Sequence, residues 1–162
     1  MPDIFNKAKR SAVMSRIRGT GNKDTELRLI QVFRANGITG WRRQQLICFN
    51  LQPPTSNPER SKLVVGRRKF SRGVRPDFIF LRLRVAVFVD GCFWHGCPKH
   101  FIKPKGNAKF WHDKIARNRA RDRLVNRALR RSGWTVLRIW EHELRRKNET
   151  RLLRRLAVVC GT

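Results

Sequence analysis

The chain has 162 residues, one domain's worth on a prior of roughly 100 to 200 residues per domain. Its 40% hydrophobic residues, with 10 Phe and 5 Trp, exclude a purely disordered basic tail. Lys and Arg total 38 against 11 Asp and Glu, a net charge of +27 that needs a polyanion. Nucleic acid is the first candidate, because neutralising phosphates releases condensed counterions. A membrane is not expected: there is no apolar leader, no lipid-facing amphipathic stretch, and no run of about 18 apolar residues. The expected compartment is the cytosol.

Residues 1–21 are basic and end in Gly19, Thr20 and Gly21, which reads as an arm leading into a single domain over 22–162. A helix follows, capped by Asn22 or Asp24, carrying Leu27, Leu29, Ile30 and Phe33 on one side and stopped by Gly37. Glu26 falls in its first turn. Apolar residues over 41–49 predict a short strand. Residues 50–73 hold three prolines and the basic run Arg67, Arg68, Lys69 and Arg72, and read as a loop or insertion whose charge is solvated.

Two strands are expected next, 74–81 and 85–90, joined as a hairpin, with Phe78 and Phe80 alternating against Asp77 and Ile79, and Val85, Val87 and Val89 sharing a face. After an irregular segment rich in Cys and His, a long helix spans 107–131, with Phe110, Trp111, Ile115, Leu124, Val125, Ala128 and Leu129 as its apolar stripe. Gly133 ends it, 134–140 reads as a strand and 143–159 as a closing helix. The order α-β-β-β-α-β-α specifies an α/β (α+β) fold, a mixed sheet flanked by helices.

Cys92, His95, Cys97 and His100 crowd into nine residues, and His142 follows a strand that can return to the same end of the sheet. In a reducing compartment such clustering favours a metal over disulfides. Two ligand sets are chemically plausible for a tetrahedral, structural zinc: the all-local one, and Cys92, Cys97 and His100 closed by the distant His142. The second is favoured because it leaves His95 for chemistry. Cys48 and Cys160 have no evident role.

If the hairpin turns between Leu83 and Arg84, Asp77 stands directly opposite Asp90. Two facing carboxylates repel unless a cation lies between them, so Mg²⁺ held by Asp77 and Asp90 is a natural reading. A metal beside phosphate-binding basic groups suits phosphodiester hydrolysis, with Glu26 orienting water and His95 moving a proton. Of the adjacent aromatics Phe93 and Trp94, one packs into a core while the other can wedge between base pairs.

The run from Phe88 to Pro98, FVDGCFWHGCP, together with Arg75-Pro76-Asp77-Phe78, Phe110-Trp111, Lys114 to Asn118, Arg121-Asp122, Gly133-Trp134 and Trp140-Glu141-His142, resembles the very short patch repair (Vsr) mismatch endonucleases. Arg10-Ser11, Met14-Ser15 and Ile17 resemble that family's opening motif, and the likeness runs from about Arg10 to Leu144. The resemblance implies a restriction-endonuclease-like fold of the PD-(D/E)xK type, a structural zinc, and Mg²⁺-dependent nicking of double-stranded DNA beside a T:G mismatch. By position it implies Asp77 as metal ligand, Val89 as donor of a backbone carbonyl to Mg²⁺, His95 as the catalytic His and Glu26 as its support. It likewise implies zinc at Cys92, Cys97, His100 and His142, and insertion of Phe93 and Trp94 into the base stack opposite Met14.

The chain departs from the family in three places. Asp90 stands where the enterobacterial type has His, which favours a second metal contact there. Cys92 occupies the slot of the usual nuclease Lys, so His95 must serve instead. Residues 50–73 are longer than the family pattern. A monomer is expected. The alternatives are a restriction-linked nuclease without mismatch selectivity and a zinc-dependent nucleic-acid-binding module without catalysis.

Overall fold

The computed structural model describes residues 23–50, 71–104 and 106–160. The proposed arm, with Met14, and most of the 50–73 insertion lie outside the described residues. Among the described residues no helix is long and apolar enough to cross a membrane.

A single π-type turn, Lys23–Leu27, leads directly into α1, Arg28–Ala35. The helix therefore starts from a preceding turn, and the residue at its cap position, Leu27, makes no side-chain capping bond. Leu29, Ile30, Val32 and Phe33 form its buried face. Its stop is the glycine seen in the sequence. Gly37 adopts φ +63°, the Ile38 amide donates to the Phe33 carbonyl at 2.9 Å and the Gly37 amide to Arg34 at 3.3 Å, a Schellman closure.

Among the described residues six strands follow in place of the four expected: β1 Trp41–Arg43, β2 Ile47–Asn50, β3 Ser71–Val74, β4 Phe78–Phe80, β5 Val85–Asp90 and β6 Thr135–Trp140. The expected strand over 41–49 is two strands in different sheets, because the chain turns at Gln44, whose φ is +51°. The expected strand over 74–81 is likewise broken at Arg75-Pro76-Asp77. Proline cannot donate to a ladder, so the pairing changes sheet there. Asn50 and Ser71 to Gly73, read as loop, belong to the β2–β3 ribbon. The main sheet runs β1-β4-β5-β6, antiparallel except for β5 and β6, which are parallel. They are joined by α2, Ala108–Arg131.

The hairpin register also differs from expectation. Phe78 pairs with Val87, Ile79 with Ala86 and Phe80 with Val85, because the turn occupies four residues and closes through the Arg84 amide on the Leu81 carbonyl. The pairing is slipped by two residues from the one placing Asp77 opposite Asp90. A two-residue slip keeps strand side chains on the same face, so Asp90 remains on the side that carries α2, while Asp77 lies in the bend just outside the paired residues.

That side is the thinner core: Ile79 and Ala86 under Ala128 and Leu129, with Val125, Phe88, Trp134 and Val136 at its margin. The opposite face is the larger. Phe78, Phe80, Val85, Val87, Leu137 and Ile139 pack against α1 and against Leu152 and Leu156 of α3, Glu149–Cys160, with Phe33 at the centre touching Trp41, Phe78 and Phe80. Two short 3₁₀ turns, Glu141–Leu144 and Arg146–Asn148, fill the stretch where the sequence suggested that the last helix had begun. Within α2, Leu124 is 61% exposed and Phe110 51%, so neither belongs to the buried stripe. Gly133, φ +76°, ends α2 with the same closure as α1, the Trp134 amide donating to Leu129 at 3.0 Å.

Candidate active site and metal cluster

The end of the sheet where β5 and β6 finish collects the chemistry-bearing residues. Asp77 sits in the bend before β4, and its Oδ2 accepts the Val89 amide at 2.7 Å. Continuing the β4–β5 register places Pro76 opposite Val89, and proline has no N–H to give the Val89 carbonyl. In an extended strand the N–H and C=O of one residue point to the same side. The Val89 carbonyl therefore faces the Asp77 side without a ladder donor.

Glu26, 3% exposed, is reached from the π turn: its Oε2 accepts from Arg43 at 2.8 Å and from Gln44 at 3.4 Å. The same Gln44 amide donates to Asp77 Oδ1 at 3.4 Å, bridging the two acids. The left-handed turn at Gln44 that breaks the expected strand thus also places this bridge. Burial pushes the Asp77 carboxyl up from 3.8 to about 6, and the negative charges of Glu26 and Asp90 push the same way against the Val89 and Gln44 hydrogen bonds.

Asp90, also 3% exposed, ends β5. Arg138 of β6 grips it through both oxygens, Nε to Oδ2 and Nη2 to Oδ1, each at 2.6 Å. The same guanidinium reaches Asp122 Oδ1 of α2 at 3.0 Å and Asn126 at 3.2 Å, and lies 5.0 Å from the centre of the Phe88 ring. Asp122 Oδ2 in turn meets His95 Nδ1 at 2.6 Å, while Asp90 Oδ1 stands at 3.7 Å from that nitrogen. Burial alone would raise Asp122, but the His95 hydrogen bond and the charges of His95 and Arg138 outweigh it and hold the carboxyl below its ordinary value. For Arg138, burial lowers and the two aspartates raise, with a net rise.

Sequence reasoning gave no role to Asp122 or Arg138. The available signal was an acid on the inward stripe of an arginine-rich helix, and an arginine on an otherwise apolar, inward-facing strand position.

His95 hangs from a tight turn fixed by His95 N to Gly91 O at 3.2 Å and Cys97 N to Cys92 O at 2.9 Å. Asn118 of α2 donates to the Trp94 carbonyl at 2.9 Å. Gly96 takes φ +62°, and a Cβ there would meet Ile115 Cγ2 at 3.0 Å, so the turn lies close against α2. His95 and Cys97 diverge, one toward Asp122 and the other toward His142 and His100.

Of the two ligand sets, Cys92, Cys97, His100 and His142 are the ones brought together, with one donor atom from each lying within 4.8 Å of all the others. Cys92 Sγ is 3.3 Å and Cys97 Sγ 3.6 Å from His142 Nδ1, and Cys97 Sγ is 3.8 Å from His100 Nδ1. Burial and the neighbouring Cys97 push the Cys92 thiol up to about 11. His142 is held below its ordinary value by burial and by the charge of His100. Asn148 donates to the His142 carbonyl at 2.7 Å, and the Cys92 amide donates to Glu141 at 3.1 Å, fixing the two ends of the cluster.

Beyond the cluster the aromatics gather. Phe93 packs edge-on to Trp94 and Trp111, each ring centre 5.2 Å away, and tilts against Phe101. Phe93 and Trp94 therefore share one aromatic group at the start of α2, where one was expected in a core and the other outside it. Lys114 Nζ lies 5.7 Å from the Trp94 ring centre.

A family model described as DNA mismatch endonuclease Vsr matches residues 66–101. The chain is 40% identical to DNA mismatch endonuclease Vsr of Escherichia coli (strain K12) over 90% of its length and 77% of that protein. It is 32% identical to the type II nicking enzyme V.NmeAIP of Neisseria meningitidis serogroup A over 91% of its length and 87% of that protein. A 54% match to the type II nicking enzyme V.NaeI of Lentzea aerocolonigenes covers 43% of this chain and only 42% of that protein. The near full-length similarities, the matched segment and the assembled residues agree: the chain belongs to the Vsr family of DNA mismatch endonucleases.

Proposed function

We propose that the protein is a Mg²⁺-dependent DNA endonuclease of restriction-endonuclease-like fold that nicks one strand at a T:G mismatch and carries a structural zinc. The observation that carries this reading is Asp77: an acid pushed up to about 6 by burial and two negative neighbours, on the side faced by a backbone carbonyl whose register partner is a proline. Such a place costs free energy until a cation enters it. Asp77 and the Val89 carbonyl suit a hard divalent ion by donor type, and when bound it would neutralise charge on the scissile phosphate and acidify water.

The protein's own groups do the rest. With Nδ1 held by Asp122, His95 presents Nε2 as the nitrogen free to take or return a proton. Glu26, kept in place by Arg43 and Gln44, stands beside Asp77 to orient water. Asp90 is engaged by Arg138 through both oxygens, and its part is to balance charge around His95.

The Cys/His cluster fits zinc on geometry. Bond lengths of about 2.3 Å to sulfur and 2.0 Å to nitrogen give tetrahedral S···N edges of about 3.5 Å, and the three observed S···N separations run from 3.3 to 3.8 Å. Two close thiols and two imidazoles joining the β5 turn to the end of β6 suit a cross-link that holds the His95 turn in shape. The aromatic group with Lys114 above Trp94 suits a wedge into a base stack, and a mismatch lowers the cost of unstacking. The nicking activity in the names of several relatives supports single-strand cleavage of DNA.

The test is strand nicking of one duplex carrying a T:G pair beside its T:A control. Cleavage of the T strand in the mismatched duplex alone is expected. Equal cleavage of both would leave a nuclease without mismatch selectivity.

A further inference from the structure

We propose that Arg138 is a positioning residue that clamps Asp90 and Asp122 together, so that Asp122 holds the Nδ1 side of His95 in the orientation the nicking reaction uses. This rests on the nuclease reading above. The register places Arg138 beside Phe88, on the sheet face that carries α2. From there its guanidinium reaches two other elements: both Asp90 oxygens at 2.6 Å on β5, and Asp122 Oδ1 at 3.0 Å with Asn126 at 3.2 Å on α2.

Two half-buried or buried carboxylates that converge on one imidazole would repel each other and swing apart. A planar fork answers this where a point charge does not: one guanidinium engages Asp90 bidentately and turns an edge toward Asp122. Asp122 then has one oxygen fixed by Arg138 and the other on His95, at 2.6 Å. The ring of Phe88 beneath the guanidinium limits its tilt. Without the fork, Asp90, already 3.7 Å from Nδ1, competes with Asp122 for His95, and the ring turns.

The experiment uses the zinc-loaded full chain with Arg138→Lys, Asp122→Asn and the double variant. Two readouts are taken: the downfield proton resonance of His95 Nδ1–H, assigned by its loss in His95→Gln, and single-turnover nicking at saturating T:G duplex. Arg138→Lys is expected to keep DNA affinity within about threefold while nicking falls about 100-fold, the scale of a 1 Å misplacement. The Nδ1–H resonance is expected to broaden or vanish. Because Arg138 acts through Asp122, the double variant is expected to be no slower than the slower single variant.

Wild-type nicking by Arg138→Lys, fully additive losses, or an unchanged resonance would overturn the proposal. Loss confined to DNA affinity would do the same. If the native protein nicks nothing, the nuclease reading fails, and the resonance still decides the clamp. If Arg138→Lys does not fold, Arg138→Gln replaces it, keeping both aspartates and an amide that can bond one of them; a native Nδ1–H resonance in that variant would refute the clamp.

Discussion

The Asp77 carboxylate accepts the Val89 amide at 2.7 Å, tying the proline-containing bend before β4 to the strand that ends in Asp90. One hydrogen bond thus fixes an acid and a backbone carbonyl on the same side of the sheet. That carboxylate is costly to ionise where it stands.

The cost has a sign that pH exposes. Asp77 is raised from 3.8 to about 6 in the folded protein, so ionising it there opposes folding. The stability it contributes is complete below about pH 4 and is lost as pH rises through about 6. Asp77→Asn, which can still accept the Val89 amide, should raise the unfolding free energy at pH 8 without Mg²⁺ by an amount on the order of 2 to 3 kcal/mol, and the advantage should disappear near pH 4. Calorimetry across that range without added Mg²⁺ checks it; no gain at pH 8 would contradict the electrostatics.

Zinc content separates the proposed ligand histidines from His95, the proposed catalytic one. Elemental analysis should find His142→Ala and Cys97→Ser depleted of zinc and thermally weakened, with His95→Ala fully loaded. Full loading of His142→Ala with loss in His95→Ala would mean that the two histidines have exchanged roles.

Removing the Trp94 ring should reduce discrimination more than binding. Trp94→Ala is expected to cut nicking of the T:G duplex at least tenfold while its affinity for a matched duplex changes little, since phosphate contacts dominate that affinity. Equal losses on both duplexes, measured side by side, would assign Trp94 to the local packing around Phe93 alone.

Phe33 is fully buried and contacts three other rings, binding α1 to β1 and β4. Phe33→Ala should cost about 3 to 5 kcal/mol in a denaturant titration. Because α1 follows the turn that carries Glu26, nicking should fall with it. A loss under 1 kcal/mol would show that the larger core does not hold this helix.

The sequence made some of this legible and hid the rest for physical reasons. Gly37 and Gly133 were readable as helix stops because only a left-handed residue closes those turns, and the β-branched run over Val85–Asp90 was readable as a strand because its period is unambiguous. The Cys/His spacing pointed to Cys92, Cys97, His100 and His142, which the fold brings together. The broken strands were hidden because Gln44 carries no turn signal, and because the apolar pattern runs on through Pro76. The hairpin slip followed from the same weakness, since Leu81 to Arg84 has no glycine or asparagine to mark a turn. Arg138 was hidden because it looks like one more charge in a chain of +27, and Asp122, though part of the Arg121-Asp122 match, showed no role because only the packing of α2 on the sheet separates buried charges from solvated ones.

The most direct test of Mg²⁺-dependent nicking through Asp77 is cleavage of the T:G duplex by the native protein and by Asp77→Asn, each in Mg²⁺ and in EDTA. A nicked T strand is expected only with native protein and Mg²⁺, with DNA binding retained by Asp77→Asn. Cleavage that persists in EDTA or in the variant would contradict it. So would native protein that carries zinc and holds DNA, yet cuts neither this duplex nor its T:A control.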